Sequence, residues 1–172
     1  MSKDLLLEIG TEEIPAHAMP NLLREMKRLA DEMLTEQRIS YDEIRTLGTP
    51  RRMALIVTGA AERQADVSTE TRGPAISIAF DADGNPTKAG AGFARGQHVA
   101  PEALIRRDGY VYAAVHETGA PTAEILKELL PALIRAIPLP NSMRWGDLDF
   151  RFIRPIRWIV ALYGTDVVPV SY

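Results

Sequence analysis

No cysteine occurs among the 172 residues, which excludes a disulfide scaffold, a zinc ribbon and a thiol nucleophile. Histidine is nearly as scarce. His17, His98 and His116 are too scattered to supply a helical pair of ligands, so no all-protein transition-metal site is expected. Long apolar runs are missing too: Leu5 to Leu7 fall far short of a signal-peptide core, and nothing elsewhere reaches membrane-spanning length. A cytoplasmic chain without membrane contact is expected. There is no internal repeat and no low-complexity segment. Lysine is confined to Lys3, Lys27, Lys88 and Lys127, against sixteen arginines, a bias toward the residue whose planar fork grips phosphate and carboxylate.

What remains is a globular composition, 46% hydrophobic and 25% charged with a formal charge of −3, in a chain long enough to bury ~70% of its unfolded surface. The apolar run over residues 4–9, closed by Gly10 and Thr11, predicts a short buried strand. From Met19 to Gln37, Leu22, Leu23, Met26, Leu29, Ala30, Met33 and Leu34 recur at three- and four-residue steps and predict an amphipathic helix, with Pro20 in its first turn. Residues 44–47 and 53–58 read as strands around the breaker Gly48-Thr49-Pro50, joined as a hairpin or by a crossing. Residues 60–71 read as a polar loop or an edge closed by Gly73-Pro74. The alternation of Ile76, Ile78 and Phe80 predicts a strand running into the turn Asp83-Gly84-Asn85-Pro86. A short helix is expected over 89–95, and Asp108-Gly109 marks a hairpin between 104–106 and 110–115. Thr122 is expected to cap a second amphipathic helix carrying Ile125, Leu126, Leu129, Leu130, Leu133, Ile134 and Ile137, with Pro131 as a kink or junction and Pro138 and Pro140 at its end. Strands are expected again over 159–163 and from Val167. The chain stops at Val170-Ser171-Tyr172 in mid-strand, as a piece of a longer protein would.

Most apparent motifs dissolve on inspection. Asp81-Ala-Asp83-Gly-Asn85 alternates oxygen ligands like a calcium loop, but Pro86 stands where the turn glycine belongs and Gly92 where the bidentate glutamate belongs, so a plain turn is expected. Gly90-Ala-Gly92-Phe-Ala-Arg-Gly96 has neither dinucleotide nor P-loop spacing, and close backbone packing accounts better for its glycines. Glu8, Glu12 and Glu13 could form a carboxylate cluster, but Thr11 with Glu12 and Glu13 reads better as charge placed before a helix N-terminus. The histidines show no triad pattern and read as solvated or hydrogen-bonded. Arg51-Arg52 and the segment carrying Arg144, Arg151, Arg154 and Arg157 remain. Arginine interleaved with Trp145, Phe150, Phe152 and Trp158 is what a surface needs to hold a phosphate backbone and stack on bases. The same spacing equally describes an exposed, acid-paired face over core aromatics, and the sequence leaves both readings open.

Taken together, Leu5-Leu-Leu-Glu-Ile-Gly-Thr-Glu-Glu-Ile-Pro15, Thr49-Pro-Arg-Arg-Met-Ala54, Phe80-Asp-Ala-Asp-Gly-Asn-Pro-Thr-Lys-Ala89 with Gly92-Phe-Ala-Arg95, and Ser142-Met-Arg-Trp-Gly-Asp147 with Phe152-Ile-Arg-Pro-Ile-Arg-Trp158 resemble the opening part of the β subunit of bacterial glycyl-tRNA synthetases. The resemblance runs the whole length, in the same order. It implies a subunit of an α2β2 class II aminoacyl-tRNA synthetase whose α subunit activates glycine with ATP and Mg2+, while the β subunit supplies tRNA recognition. Residues 1–172 would then be an N-terminal domain, inactive alone and without cofactor, with HD-like and anticodon-binding domains beyond Tyr172. Its partners would be the α subunit, tRNA(Gly) and the rest of the β subunit. The region also resembles the B3/4 module of the phenylalanyl enzyme's β subunit, but fold analogy does not carry editing over, and glycine excludes larger competitors sterically.

The expectation is therefore an α+β domain, mostly antiparallel sheet with two amphipathic helices, that positions tRNA or subunit surfaces without a catalytic side chain. Arg51, Arg52, Arg144, Arg151, Arg154 and Arg157 are its expected phosphate or interface contacts. The alternative is a scaffold whose arginines pair with acids of neighbouring domains or of the α subunit, and a small-molecule editing pocket is a third class on which the sequence is silent.

Overall fold

The computed structural model describes residues 2–139, 142–146 and 151–171, so Pro140, Asp147, Asp149 and Phe150 lie outside the described residues. In chain order the elements are β1 (Ser2–Thr11), α1 (Met19–Glu36), β2 (Glu43–Thr49), β3 (Arg52–Ala61), β4 (Val67–Ala75), α2 (Ile76–Ala79), α3 (Lys88–Gly96), β5 (Ile105–Arg107), β6 (Tyr110–Glu117), α4 (Thr122–Ala136), β7 (Met143–Arg144), β8 (Arg151–Phe152), β9 (Ile156–Tyr163) and β10 (Asp166–Val167). All the paired strands are antiparallel, and the class is α+β as expected. The chain divides into two compact units, residues 1–65 with 120–172, and residues 66–119.

The first unit holds a five-stranded sheet in the order β10-β9-β1-β3-β2. Alternation sends Leu5, Leu7 and Ile9 of β1 and Met53, Leu55 and Val57 of β3 to one face, where they are buried with Leu22, Met26, Ala30 and Leu34 of α1 and Leu126, Leu130, Leu133 and Ile134 of α4. Each of these side chains other than Ala30 contributes roughly 1.5–3 kcal/mol of transfer free energy. The breaker after β2 makes a hairpin: Thr49 pairs with Arg52, leaving only Pro50 and Arg51 in the loop. Tyr163 is buried with its hydroxyl 2.8 Å from the carbonyl of Ala61 and 3.1 Å from that of Ala60, and burial raises its phenol pKa.

The second unit is a three-stranded sheet in the order β4-β6-β5, backed by α2 and α3 around Ala79, Phe80, Ala94, Leu104, Val111 and Ala113. The Asp108-Gly109 hairpin forms as expected, both residues taking positive φ (52° and 79°). The turn after Phe80 forms too, with Asp81 Oδ1 accepting from the amides of Asp83 and Asn85.

Several expectations fail for identifiable reasons. Residues 76–79 are a single helical turn, closed by the Phe80 amide donating to the Ile76 carbonyl (2.9 Å), which buries Ala79 and Phe80 in the core of this unit. Of the loop and the edge left open for residues 60–71, the edge holds from Val67 on as β4, but Gly73-Pro74 does not close it: they lie inside the strand at a register shift between Arg72 and Ala75, where an edge tolerates proline. Thr122 does not cap α4. Its hydroxyl donates to the carbonyl of Ala61 (2.6 Å), and Pro121 holds the cap position. The helix runs on through Pro131, which therefore does not mark a junction. Glu12 and Glu13 do not flank a helix N-terminus, since α1 begins only at Met19 and dipole interactions fade within one turn.

The α3 glycines separate cleanly. A Cβ on Gly90 would stand 2.2 Å from the backbone oxygen of Ala79, whereas Gly92 and Gly96 meet nothing within 4 Å. Gly90→Ala is therefore expected to destabilise the second unit by about 1–3 kcal/mol, and Gly92→Ala, inside the same helix, to stabilise it by up to about 1 kcal/mol. Hydrogen exchange of the 66–119 amides reads both. Equal signs would refute the packing account.

Candidate functional site

The sheet face away from α1 and α4 is ordered by strand register. One row runs Trp158, Gly10, Arg52, Thr49, and the next runs Val160, Glu8, Ala54, Leu47. Side chains in such rows are immediate neighbours. Gly10 is what lets the first row pack. The Trp158 indole lies over it, and a Cβ there would be 2.0 Å from the ring. Arg52 then reaches the indole, its guanidinium carbon 5.3 Å from the ring centroid, and sits 3.6 Å from Glu8 of the next row.

Beyond this row the β1–β9 register shifts between Gly10 and Thr11. The β1 extension is held by backbone bonds from Thr11 N–H to the Arg51 carbonyl (2.9 Å), Glu12 N–H to the Pro155 carbonyl (3.1 Å) and Ile14 N–H to the Pro50 carbonyl (2.7 Å). These bonds fix the rim of a depression of about 610 Å³ lined by Thr11, Glu12, Thr49, Arg51, Arg52, Arg157 and Trp158. Arg157 Nε stands 3.5 Å from Glu12 Oε1. Both ion pairs are long and largely exposed, a type that contributes little to stability and exchanges readily with solvent or another anion. Arg51 has no ion pair or side-chain hydrogen bond among the described residues. In the lining of the depression, Thr11 is 4% exposed and its hydroxyl has no hydrogen-bond partner among the described residues. The sequence offered no signal for Thr11 beyond its place before a presumed helix.

The six arginines therefore take three roles. Arg51, Arg52 and Arg157 converge on the depression. Arg144 and Arg151 face each other across the β7–β8 ribbon, which is tied by Trp145 Nε1–H to the Phe152 carbonyl (3.0 Å). Arg154 turns back on the chain, donating from Nε to the Glu13 carbonyl (2.9 Å) and from a terminal nitrogen to the Ile153 carbonyl (3.0 Å). Among the described residues no three acidic or histidine side chains converge as metal ligands would, and no helix is long and apolar enough to cross a membrane. His116 lies 3.7 Å from Asp66, and neither His17 nor His98 joins a constellation.

Comparison with known proteins bears on the whole chain. The profile of the family described as "Glycyl-tRNA synthetase beta subunit" matches residues 5–172. Among curated relatives, the "Glycine--tRNA ligase beta subunit" of Desulfitobacterium hafniense is 48% identical over all of this chain and 26% of its own length. That of Citrifermentans bemidjiense is 53% identical with the same coverage, and that of Moorella thermoacetica 48% identical over 99% of this chain and 25% of its own length. The chain thus spans about a quarter of the curated relatives it matches.

The two kinds of arginine should separate on mutation. Arg154→Met, which strands two carbonyl contacts, is expected to cost roughly 1–3 kcal/mol. Arg51→Met should stay within about 0.5 kcal/mol of the parent. Urea denaturation of both variants checks this, and an Arg51 cost as large as that of Arg154 would contradict the assignment.

Proposed function

The chain belongs to the glycyl-tRNA synthetase beta subunit family, and from that premise we propose that it is a non-catalytic part of glycine-tRNA ligase that holds tRNA(Gly). The reaction joins glycine to tRNA at the expense of ATP, and on this reading activation, with ATP and Mg2+, belongs to the α subunit of a cytoplasmic α2β2 assembly. The chain contributes position, which lowers a barrier by pre-ordering the reactants without a reacting side chain. The observation that carries this reading is the convergence of Arg51, Arg52 and Arg157 with the exposed indole of Trp158 on one polar depression. Guanidiniums held by long, exposed ion pairs can trade a carboxylate for a phosphate, and an indole offers a base a stacking surface.

A second reading, assembly, is favoured by the rest of the same sheet face. A further row runs Val167, Leu162, Leu6, Ile56, Arg45. With Val160 (39% exposed), Leu47 (50%) and Val167 (75%) it leaves an apolar strip beside the depression. Strips of this kind mark contacts with other protein. On that reading the strip meets the α subunit or the remainder of the β subunit, and the arginines form its polar rim.

Titration of labelled tRNA(Gly) across a salt series separates the two. Phosphate contacts give log K a slope against log[salt] of about −0.7 to −0.9 per contact, so replacing Arg51, Arg52 and Arg157 one at a time by methionine should flatten the slope by about one unit each. Absence of binding at low salt, or a slope indifferent to all three, would leave assembly as the function of this face.

A further inference from the structure

The second unit, which holds none of the six arginines, has a polar sheet face of its own. In β6, Val111 and Ala113 face α2 and α3 and are fully buried, so Tyr110 and Tyr112 lie on the opposite face. Register places Arg72 of β4 and Ile105 of β5 beside Tyr112, and Arg107 of β5 beside Tyr110. Each arginine nevertheless reaches diagonally to the other tyrosine. The Arg72 guanidinium carbon stands 3.6 Å from the Tyr110 ring centroid, and that of Arg107 stands 4.5 Å from the centroid of Tyr112. The result is two guanidinium-on-tyrosine stacks side by side on an open sheet, with Ile105 (39% exposed) next to them.

The charges are not arranged for a phosphate backbone. Arg107 is engaged by Glu70 (2.7 Å) and approached by Asp108 (3.8 Å), while Arg72 has no acidic partner among the described residues. Arg107 therefore offers a plane more than a charge. A guanidinium laid on a ring keeps its other face free for a further flat group, and unpaired bases are the flat groups that bind such stacks without needing many phosphate contacts. A duplex, its bases already stacked, cannot use them.

We infer that the open β4–β6–β5 face is a stacking platform for unpaired nucleotides of an RNA, formed by Arg72 on Tyr110 and Arg107 on Tyr112. This deepens the tRNA reading and rests on it, but on different residues and a different force. Such binding discriminates unpaired from paired strands and depends weakly on salt, whereas the arginine depression of the first unit binds phosphates of either.

The test uses this chain with a labelled unstructured RNA oligonucleotide, free or annealed to its complement. Wild type should prefer the free strand. Arg72→Met with Arg107→Met should lose on the order of tenfold in free-strand affinity, and Arg72→Lys with Arg107→Lys should not restore it, since lysine keeps the charge and lacks the plane. Replacing Arg51, Arg52 and Arg157 should weaken both RNAs together and leave the preference intact. Rescue by lysine, an unchanged methionine variant, or no preference in wild type overturns the platform while phosphate binding in the first unit stands; no RNA binding at all overturns both. Should the methionine variant lose stability, upfield shifts of the Arg72 and Arg107 side-chain protons on adding free strand to wild type decide instead, and unshifted arginine protons count against the platform.

Discussion

The first unit depends on β1 having a neighbour on each side. The chain's first strand is the middle strand of its sheet, paired along nearly its whole length with β3 on one side and β9 on the other. No edge remains to β1, and both of its faces are in use: Leu5, Leu7 and Ile9 close the core while Leu6, Glu8 and Gly10 build the outer surface. A one-residue slip would exchange the two sets, so the burial of Leu5, Leu7 and Ile9 also fixes which residues meet on the functional face. Gly10 opposite Trp158 and Arg52 is a consequence of that register, and the depression is assembled from residues far apart in the chain for the same reason.

Such a sheet can admit a second folding unit between its strands only if the point of departure and return is closed. Gln64 and Ala120 do this within the first unit: the Gln64 amide donates to the Ala120 carbonyl (3.0 Å) and the Ala120 amide to the Gln64 side chain (3.1 Å), with Arg63 and Pro121 bridged alongside. Within residues 66–119 the ends are clasped separately, Gly119 N–H donating to Asp66 Oδ1 at 2.7 Å. Insertions are tolerated where the chain ends lie close, because closure of the loop then costs little beyond what the host already fixes. The separate core around Val111 and Ala113 completes the independence of the insert.

The parts of this architecture legible in sequence are those specified by neighbours in sequence. The periodicity of α1, the apolar run of β1 and the Asp108-Gly109 turn were readable because the physics acts within a few residues, whereas the breaker at Gly48-Thr49-Pro50 left hairpin and crossing open until pairing decided for the hairpin. What could not be read depends on partners supplied elsewhere. The alternation of Ile76, Ile78 and Phe80 is strand-like, but the segment forms a helical turn whose Ala79 and following Phe80 pack with Ala94 and Val111, residues distant in the chain. Val67 to Ala75 is polar enough to read as either a loop or an edge, and only its pairing with β6 decides for the edge. The six arginines were visible as a group, but only register could show that Arg154 serves carbonyls while Arg51, Arg52 and Arg157 share a depression.

The preference for arginine over lysine gains a more specific meaning from these contacts. Among the described residues Arg52, Arg72, Arg106 and Arg107 lie over Trp158, Tyr110, Phe80 and Tyr112, and only Lys3, over Tyr163, makes a lysine contact of this kind. The arginine-aromatic interleaving apparent in residues 144–158 captures none of these four pairs whole: Trp158 lies in that segment, but its partner Arg52 comes from β3, and of the other three only Arg107 and Tyr112 are close in sequence. Charge alone would not select arginine for these places, because the chain is net acidic and Arg52 and Arg107 already have carboxylates nearby. Planarity would. A flat, weakly hydrated cation can cover an aromatic ring on one side and present a second flat surface on the other, which lysine's compact ammonium cannot, so the composition reflects a need for exposed planes as much as for positive charge.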